Sequence, residues 1–298
     1  MKSLYFQVAE RYYCVQFTDD NADFRTLLNT SAPFNVRRPS AEVPMMFTLT
    51  VGEGLVDAKE EGERIGEFDC GGIMHRVFRM SDGGYKMLLT DVTGELACAY
   101  RANADFSRCE CSVFGGVATQ TFGITNANMI SFAFAGASHG ILLMHSSVPM
   151  KDGYGYLCQG KSGTGKSTHS SLWLKHIAGT ELLNDDNPAV RYDASTKRCY
   201  VYGTPWSGKT PCYRNLRAEV GGFLRLHQHP ENIIKQLSPL EAFASILSSC
   251  SSMLWDKRSY SALCNTISSI VACTSAYDLQ CLPDQAAAEL SYSTMRRV

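Results

Sequence analysis

The stretch Gly160-Lys161-Ser162-Gly163-Thr164-Gly165-Lys166-Ser167 decides the fold of this chain. It matches the pattern G-x-x-x-x-G-K-[ST] at every fixed position, and this pattern binds phosphate through its backbone. Glycines let successive N–H groups face one anion, the lysine reaches the β- and γ-phosphates, and the serine hydroxyl ligates Mg²⁺. The predicted cofactors are therefore ATP and Mg²⁺. The predicted cofactor-binding residues are Gly160, Lys161, Ser162, Gly163, Thr164, Gly165, Lys166, Ser167 and Thr168.

The residues on either side of this loop provide the strand and the helix that it must connect. Aromatic and apolar residues over 154–159 are typical of a buried strand. Residues 167–177 contain no Gly or Pro, and an apolar helical face that includes Trp173 ends before Gly179. A glycine-rich surface turn that matches the pattern by chance is the alternative, and this context argues against it.

A pair of carboxylates, Asp185-Asp186, follows the loop at the end of a short apolar run over 181–184. Such a run predicts a neighbouring strand, and open α/β sheets bind ligands at the carboxyl ends of their strands. The pair is therefore a candidate for metal and acceptor chemistry. An exposed junction between a strand and a turn before Asn187-Pro188 is the alternative interpretation.

The composition excludes several classes of protein. A chain of 298 residues holds one large domain or two modest ones. A formal net charge of -1 and a pI near 6.6 predict neither a nucleic-acid partner nor an anionic membrane partner. The first residues lack a sustained apolar core, and no run approaches the length needed to cross a bilayer. We therefore expect a cytoplasmic protein.

The twelve cysteines are spread from Cys14 to Cys281 without a C-x-x-C pair. Because the chain is much longer than small disulfide-stapled scaffolds, we expect reduced, mostly buried thiols rather than metal or redox centres. The alternation in Cys109-Glu110-Cys111 is typical of two residues on one face of a strand.

The pattern of the chain changes near residue 115. Apolar runs over 46–51, 74–79, 85–89 and 109–114 predict strands, and a turn at 81–84 joins two of them as a hairpin. We therefore predict an antiparallel β-rich domain of unknown role over 1–115 and an α/β nucleotide-binding domain over 116–298, with the boundary at 115–122. In the second domain the pattern predicts strands at 189–192 and 200–202 and helices at 126–137, 239–249, 260–272 and 283–295, with an apolar run at 141–144.

Residues 145–186 resemble the nucleotide-binding core of the HPr kinase/phosphorylase and ATP-dependent phosphoenolpyruvate carboxykinase group. In HPr kinases a histidine lies fifteen residues before the first glycine of the loop, and His145 and Gly160 have that separation. A helix and a short strand then lead to paired aspartates. Residues 203–209 and 277–284 look like a branch of HPr-kinase-like bacterial proteins, many of which have no assigned substrate. The segment that accompanies phosphorylase activity in HPr kinases is missing, which argues against HPr as the substrate.

The resemblance implies an HPr kinase-like P-loop domain and assigns roles within it. Lys166 would neutralise the transferring phosphoryl group, and Ser167 with Asp186 would hold Mg²⁺. Asp185 would act as the general base toward the acceptor hydroxyl. His145 would stand near the same phosphate or orient an aspartate, and a structural histidine at a strand end is the equal alternative.

The segment 203–209 is rich in turn residues and carries a tryptophan and a lysine. Lys209 is a candidate for binding the acceptor or the γ-phosphate, Arg214 adds a candidate anion-binding fork, and Trp206 offers an apolar wall. The alternative is a connecting turn in which Trp206 packs underneath and both cations are solvated.

These observations leave two main classes of function. The first is an ATP-dependent phosphotransferase, a kinase that acts on a hydroxyl of a small molecule, peptide or protein. The second is a nucleotide-binding regulatory or assembly module with little or no turnover. A carboxykinase is a third option, although no site for its substrate is evident. The acceptor, the choice of ATP over GTP and the oligomeric state, a homo-oligomer included, stay open at this point.

Overall fold

The computed structural model describes residues 1–69, 74–208 and 210–297. These form two compact units, Met1–Gly136 and Ala137–Val298. Each unit contains a large mixed sheet with helices, so the chain is an α/β protein, as predicted at that level. Among the described residues, no helix combines the length and the apolar character needed to cross a membrane.

The first unit is built on one sheet in the order β3-β1-β2-β4-β9-β8-β7-β6-β5. Its strands are β1 (Lys2–Val8), β2 (Arg11–Phe17), β3 (Asn35–Val36), β4 (Met45–Val51), β5 (Glu63–Asp69), β6 (Met74–Arg79), β7 (Tyr85–Thr90), β8 (Leu96–Ala102) and β9 (Arg108–Val113). Its helices are α1 (Phe24–Leu27), a 3₁₀ helix (Asn29–Phe34) and α2 (Val117–Ala137).

The predicted hairpin of β6 and β7 is confirmed, and so is the burial of Cys109 and Cys111 on one face of β9. The prediction of a wholly antiparallel sheet is wrong, because β4 pairs in parallel with both β2 and β9. The connection through α1 and the 3₁₀ helix lets β4 run in the same direction as β2. Strand β9, which pairs on the other side of β4, comes four strands later in the chain.

Helix α2 packs against the first sheet. The ring of Tyr13 stacks between Phe6 and Phe47, at centroid distances of 5.2 and 4.7 Å, and meets the edge of Phe132 from α2. The Tyr100 hydroxyl lies 2.9 Å from Ser131 Oγ, also on α2. Nearly all of this helix therefore belongs to the first unit, and the division between units falls later than the predicted 115–122.

The second unit contains a sheet in the order β10-β14-β15-β16-β12-β11-β13, and β18 pairs with β16 and β17. Its strands are β10 (Ile141–Leu143), β11 (Ser146–Lys151), β12 (Tyr154–Gln159), β13 (Glu181–Asn184), β14 (Ala189–Asp193), β15 (Arg198–Tyr202), β16 (Arg217–Gln228), β17 (Ile233–Gln236) and β18 (Ala276–Cys281). Its helices are α3 (Lys166–His176), α4 (Pro239–Leu247), α5 (Lys257–Val271) and α6 (Gln285–Met295).

Two cores cover the faces of this second sheet. Helices α4 and α5 pack on one face, where the buried residues include Leu157, Phe223, Ile246, Leu263 and Ile267. Helices α3 and α6 belong to the core on the other face, whose buried residues include Tyr156, Cys158, Trp173, Leu224 and Ala288. Helix α4 begins at a capping box, in which Ser238 and Glu241 bond to each other's backbone amides.

The topology brings several strand ends to one edge of the sheet. Strand β11 pairs antiparallel with both β12 and β13, so β12 and β13 run in the same direction. Backbone bonds continue from the β11–β13 pair to the β10–β14 pair: the Ser146 amide donates to Asp186 O, and the Met144 amide donates to Pro188 O. The carboxyl ends of β12 and β13 therefore lie beside the start of β11.

Candidate nucleotide-binding site

The glycine-rich loop connects β12 to α3, as the sequence predicts. Three of its glycines have positive φ angles: Gly160 at 149°, Gly163 at 81° and Gly165 at 101°. A Cβ atom on Gly160 would lie 2.5 Å from Thr164 Oγ1, which is too close for any side chain. Glycine is therefore required there for both conformation and space.

The start of α3 offers unpaired backbone donors. The first helical bond runs from the His169 amide to Gly165 O at 2.8 Å, so the preceding amides have no partner within the helix. Ser167 and Thr168 are exposed, and the cap residue Gly165 adds no side chain. A helix start of this kind attracts phosphate through its N–H groups and its dipole.

The ammonium group of Lys166 lies inside the loop. Its Nζ donates to Gly160 O at 3.0 Å and to Lys161 O at 3.3 Å. Burial lowers the pKa of Lys166, while the nearby carboxylates of Asp186 and Asp185 act to raise it. The fold thus brings the loop lysine and both predicted aspartates within electrostatic reach of one another.

The outer part of the loop is open to solvent at Lys161, Ser162 and Gly163. Thr164 Oγ1 donates to Lys161 O at 2.7 Å, and Gln228 Nε2 at the end of β16 donates to Gly163 O at 3.2 Å. These bonds hold the loop in shape without covering its exposed amides.

Asp185 is buried and is held by hydroxyl groups. Ser147 Oγ lies 2.6 Å from Asp185 Oδ1, Thr210 Oγ1 donates to Oδ2, and the Asp185 amide donates to Ser207 Oγ at 3.1 Å. Ser147 Oγ also lies 2.6 Å from Ser170 Oγ on α3. Because a hydroxyl has one proton, Ser147 gives its proton to the carboxylate and accepts that of Ser170. A chain of hydroxyls therefore links α3 to Asp185.

Asp186 is more open, with 29% of its side chain exposed. Its Oδ1 lies 2.9 Å from His145 Nδ1, and its Oδ2 accepts a bond from Asn187 Nδ2 at 2.8 Å. The backbone amide of His145 is anchored to Ser249 O at 2.7 Å. The structure therefore places the predicted histidine against the second aspartate, at the start of β11.

The segment that follows β15 lies against the aspartate pair. Thr204 Oγ1 accepts from Asn184 Nδ2 at 3.2 Å and donates to Asn187 O at 2.7 Å. A Cβ atom on Gly208 would lie 2.8 Å from Asp186 Cβ. Trp206 is 4% exposed, so it packs beneath the segment and does not form an open wall.

The two predicted acceptor cations have different outcomes. Lys209 lies outside the described residues, although Gly208 and Thr210 on either side of it in sequence contact the aspartates. Arg214 donates to Leu182 O at 2.9 Å and pairs with Glu181 at 2.5 Å. Those partners lie at the amino end of β13, about 10 to 13 Å of extended chain from Asp185. The described contacts of Arg214 are thus at the other end of the strand from the loop.

The hydroxyl groups around Asp185 are absent from the sequence prediction. Ser147, Ser170 and Thr210 lie outside the segments predicted to form the site, and Ser207 lies within 203–209 without an assigned role. Serine and threonine are common in turns and on helix surfaces. Ser147 stands two residues after His145, which is a weak signal. The pairing of β11 between β12 and β13 is what brings these hydroxyls to one carboxylate.

The donor set suits Mg²⁺. This ion is bound through one or two carboxylates together with phosphate oxygens and water, and it prefers oxygen ligands. The carboxylate of Asp186 and the hydroxyl of Ser167 can supply such oxygens beside the loop. The described residues hold no cluster of three or more His, Cys, Asp and Glu side chains suited to a metal.

Comparisons of the chain with protein-family models and with curated proteins find no match. The functional assignment therefore depends on the loop, the aspartate pair and the contacts between them.

Proposed function

We propose that the chain is an ATP- and Mg²⁺-dependent phosphotransferase that acts on a hydroxyl group, with an HPr kinase-like nucleotide-binding fold in its second unit. One observation carries the proposal. A complete phosphate-binding loop and the buried carboxylate of Asp185 meet at one sheet edge, joined by the hydroxyls of Ser147 and Ser170. A phosphate-binding surface turn without catalytic function would not require this connection.

The proposed roles follow from charge and position. The loop amides and Lys166 bind the β- and γ-phosphates, and Lys166 exchanges its loop carbonyls for phosphate oxygens. Asp186 and Ser167 would hold Mg²⁺, which would supply further charge neutralisation. His145 fixes Asp186 through the 2.9 Å contact.

Asp185 accepts the proton of the acceptor hydroxyl. The acceptor oxygen forms a bond to the γ-phosphorus while the bond between the β–γ bridging oxygen and the γ-phosphorus breaks, and ADP leaves. Each carboxylate oxygen has two acceptor sites, so the bonds from Ser147 and Thr210 leave room for the acceptor hydroxyl. The hydroxyls of Ser147 and Thr210 fix the orientation of the Asp185 carboxylate.

A second candidate is a nucleotide-binding regulator with little turnover. Two observations favour it. Both carboxylate oxygens of Asp185 already accept hydrogen bonds from hydroxyls, and Lys166 already donates to loop carbonyls, so these groups have partners without an acceptor molecule. ADP release by wild-type protein during incubation with ATP, Mg²⁺ and pools of metabolites or peptides separates the two candidates.

Calorimetry with ATP and Mg²⁺ tests nucleotide binding directly. Replacing Lys166 with Ala removes charge-assisted bonds to the phosphates, so we expect affinity to fall by about 10- to 100-fold. Lys175→Ala is the matched control, because Lys175 is exposed in the last turn of the same helix. Equal ATP affinity in folded Lys166→Ala protein and wild type would overturn the proposal.

A further inference from the structure

A row of polar residues crosses four adjacent strands next to the loop. Ser146 of β11 pairs with Gln159 of β12, Gln159 is in register with Arg225 of β16, and Arg225 is in register with Asp278 of β18. Residues in register on neighbouring strands point to the same face. We call Ser146, Gln159 and Arg225 the donor row, because each side chain can donate hydrogen bonds.

The donor row lies on the face that carries α4 and α5. Two positions away on the same strands are Val148, Leu157 and Phe223, which are buried in the core of that face. Gln159 Oε1 is 3.3 Å from Ser245 Oγ on α4, which agrees with this placement. The donor row thus begins where the apolar core ends, at the carboxyl edge of the sheet.

Two atoms of the donor row are buried without a partner. Ser146 is fully buried and Gln159 is 1% exposed, yet Ser146 Oγ and Gln159 Nε2 have no hydrogen bond within the described residues. Leaving such a group unsatisfied costs about 1–3 kcal/mol, so these atoms indicate a bound molecule that supplies acceptors.

The third member extends the donor row toward solvent. Arg225 is half-buried, and among residues 1–69, 74–208 and 210–297 its guanidinium has no ion pair or hydrogen bond. Asp278, its neighbour in register, lies 3.0 Å from His227 Nε2 instead. An unpaired guanidinium beside buried amide and hydroxyl donors forms a surface of donors that matches an anion.

The donor row is next to the transferring phosphate in the proposed function. Gln159 directly precedes Gly160, Leu226 O lies 3.3 Å from a Cβ position on Gly160, and Gln228 bonds to the loop. Ser146 follows His145, which contacts Asp186. A ligand on the donor row would therefore lie against the loop from the face opposite to α3.

We propose that the donor row binds the anionic group of the phosphoryl acceptor, and this rests on the proposed function. The acceptor is a small molecule that carries a carboxylate or phosphate in addition to the hydroxyl that receives the phosphoryl group. Arg225 binds the anion through two parallel N–H bonds, and the Gln159 amide and the Ser146 hydroxyl add donors on its buried side.

Three probes that share a hydroxyl-bearing carbon chain test this assignment: glycerate, glycerol 3-phosphate and neutral glycerol. Binding is measured by calorimetry on protein saturated with Mg²⁺ and a non-hydrolysable ATP analogue. We expect glycerate or glycerol 3-phosphate to bind, and the stronger of the two identifies the preferred anion. Glycerol is expected not to bind, because it has no group for Arg225.

Arg225→Ala should weaken binding of the anionic probe at least 10-fold and leave affinity for the ATP analogue unchanged. Arg198→Ala is the control, because Arg198 is exposed and pairs with Glu219 far from the loop. Thermal unfolding with and without the ATP analogue checks that Arg225→Ala folds, and Arg225→Gln provides a second variant that keeps donors without the charge.

Failure of the ATP analogue to bind wild-type protein counts against the proposed function. If the analogue binds but neither anionic probe does, or if wild type, Arg225→Ala and Arg198→Ala bind the anionic probe equally, only the acceptor assignment is overturned. Equal binding of glycerol and the anionic probes would also overturn it.

Discussion

Ser147 Oγ and Asp185 Oδ1 lie 2.6 Å apart, and the two residues are 38 positions apart in the sequence. Ser147 stands near the start of β11 and Asp185 directly follows β13, so the pairing of these two strands creates the contact. The same serine contacts Ser170 on the helix that begins at the glycine-rich loop. The loop and the proposed base are thus held in one hydrogen-bonded unit.

Ser147→Ala should lower kcat about 10-fold or more while the KM for ATP stays near the wild-type value. The variant removes a hydrogen bond to a buried carboxylate, which is worth about 1.5–3 kcal/mol, and Ser147 positions Asp185 without contacting nucleotide. Ser170→Ala, one hydroxyl further from the carboxylate, should have a smaller effect. Unchanged kcat in Ser147→Ala would contradict the positioning role.

The two aspartates should respond differently to loss of charge. Asp186→Asn should raise the Mg²⁺ concentration needed for half-maximal activity, because Asp186 is the more exposed carboxylate and the proposed metal ligand. Asp185→Asn should lower turnover with nucleotide binding largely kept. Both changes remove one negative charge, so any difference between the two variants in steady-state kinetics across a Mg²⁺ series comes from the position of the aspartate. Identical responses would show that the roles are misassigned.

Gly208→Ala should disturb the aspartate pair. Gly208 has φ of +59°, and a Cβ atom there would lie 2.8 Å from Asp186 Cβ. Gly153→Ala is the matched control, because Gly153 has φ of +82° with nothing within 4 Å. Denaturant unfolding should show a loss of about 1–2 kcal/mol from backbone strain in both. Only Gly208→Ala should change the Mg²⁺ dependence, and a similar change in Gly153→Ala would reject the contact as its cause.

The stability of the second unit should depend on pH through His169. Burial lowers the pKa of His169 to about 4 from a usual value of 6.5, and the Trp173 indole donates to its Nε2 at 3.2 Å. Below pH 6.5 the unfolded chain takes up a proton that the folded protein does not, so stability is full above that pH and falls toward pH 4.

Urea unfolding at pH 7 and pH 5 measures this effect. His169 should account for a loss of about 2 kcal/mol between these values. His169→Gln keeps a polar atom near Ser291 but does not titrate, so its stability should fall by about 2 kcal/mol less than that of wild type between these two pH values. His176→Gln on the same helix is the control and should behave like wild type. Equal pH dependence in wild type and His169→Gln would contradict the prediction.

Lys209→Ala should reduce phosphoryl transfer and leave ADP affinity nearly unchanged. The prediction derives from the sequence, and the contacts of Gly208 and Thr210 with the aspartates add support. Arg214→Ala is an informative comparison, because Arg214 pairs with Glu181 at the far end of β13 and should leave transfer unchanged. Activity is measured as ADP release with the acceptor at saturation. Normal phosphoryl transfer by Lys209→Ala would contradict a role for Lys209, and the donor row would then be the one proposed binding site for the acceptor.

Helices and strands could be predicted where a short stretch of sequence carries the pattern that specifies them. Strand β12 has the predicted bounds, and helices α3 and α4 lie where the pattern places them. Helix α2 is longer than predicted because Gly123 lies inside it, against Ala97 O and Cys98 Cβ of β8, where tertiary packing favours a residue without a side chain. The parallel pairings of β4 could not be predicted, since they join strands that are distant in the sequence.

The sequence by itself determined the glycine-rich loop and the acidic pair, because eight consecutive residues between a strand and a helix, and two adjacent aspartates, are local patterns. Only the tertiary structure decided which hydroxyls hold Asp185 and which donors surround the loop. Thr210 is 25 positions from Asp185, and Gln159 meets Arg225 through the register of β12 and β16. Strand order and register set these contacts. They result from burial of both faces of the whole sheet, and no short segment carries that information.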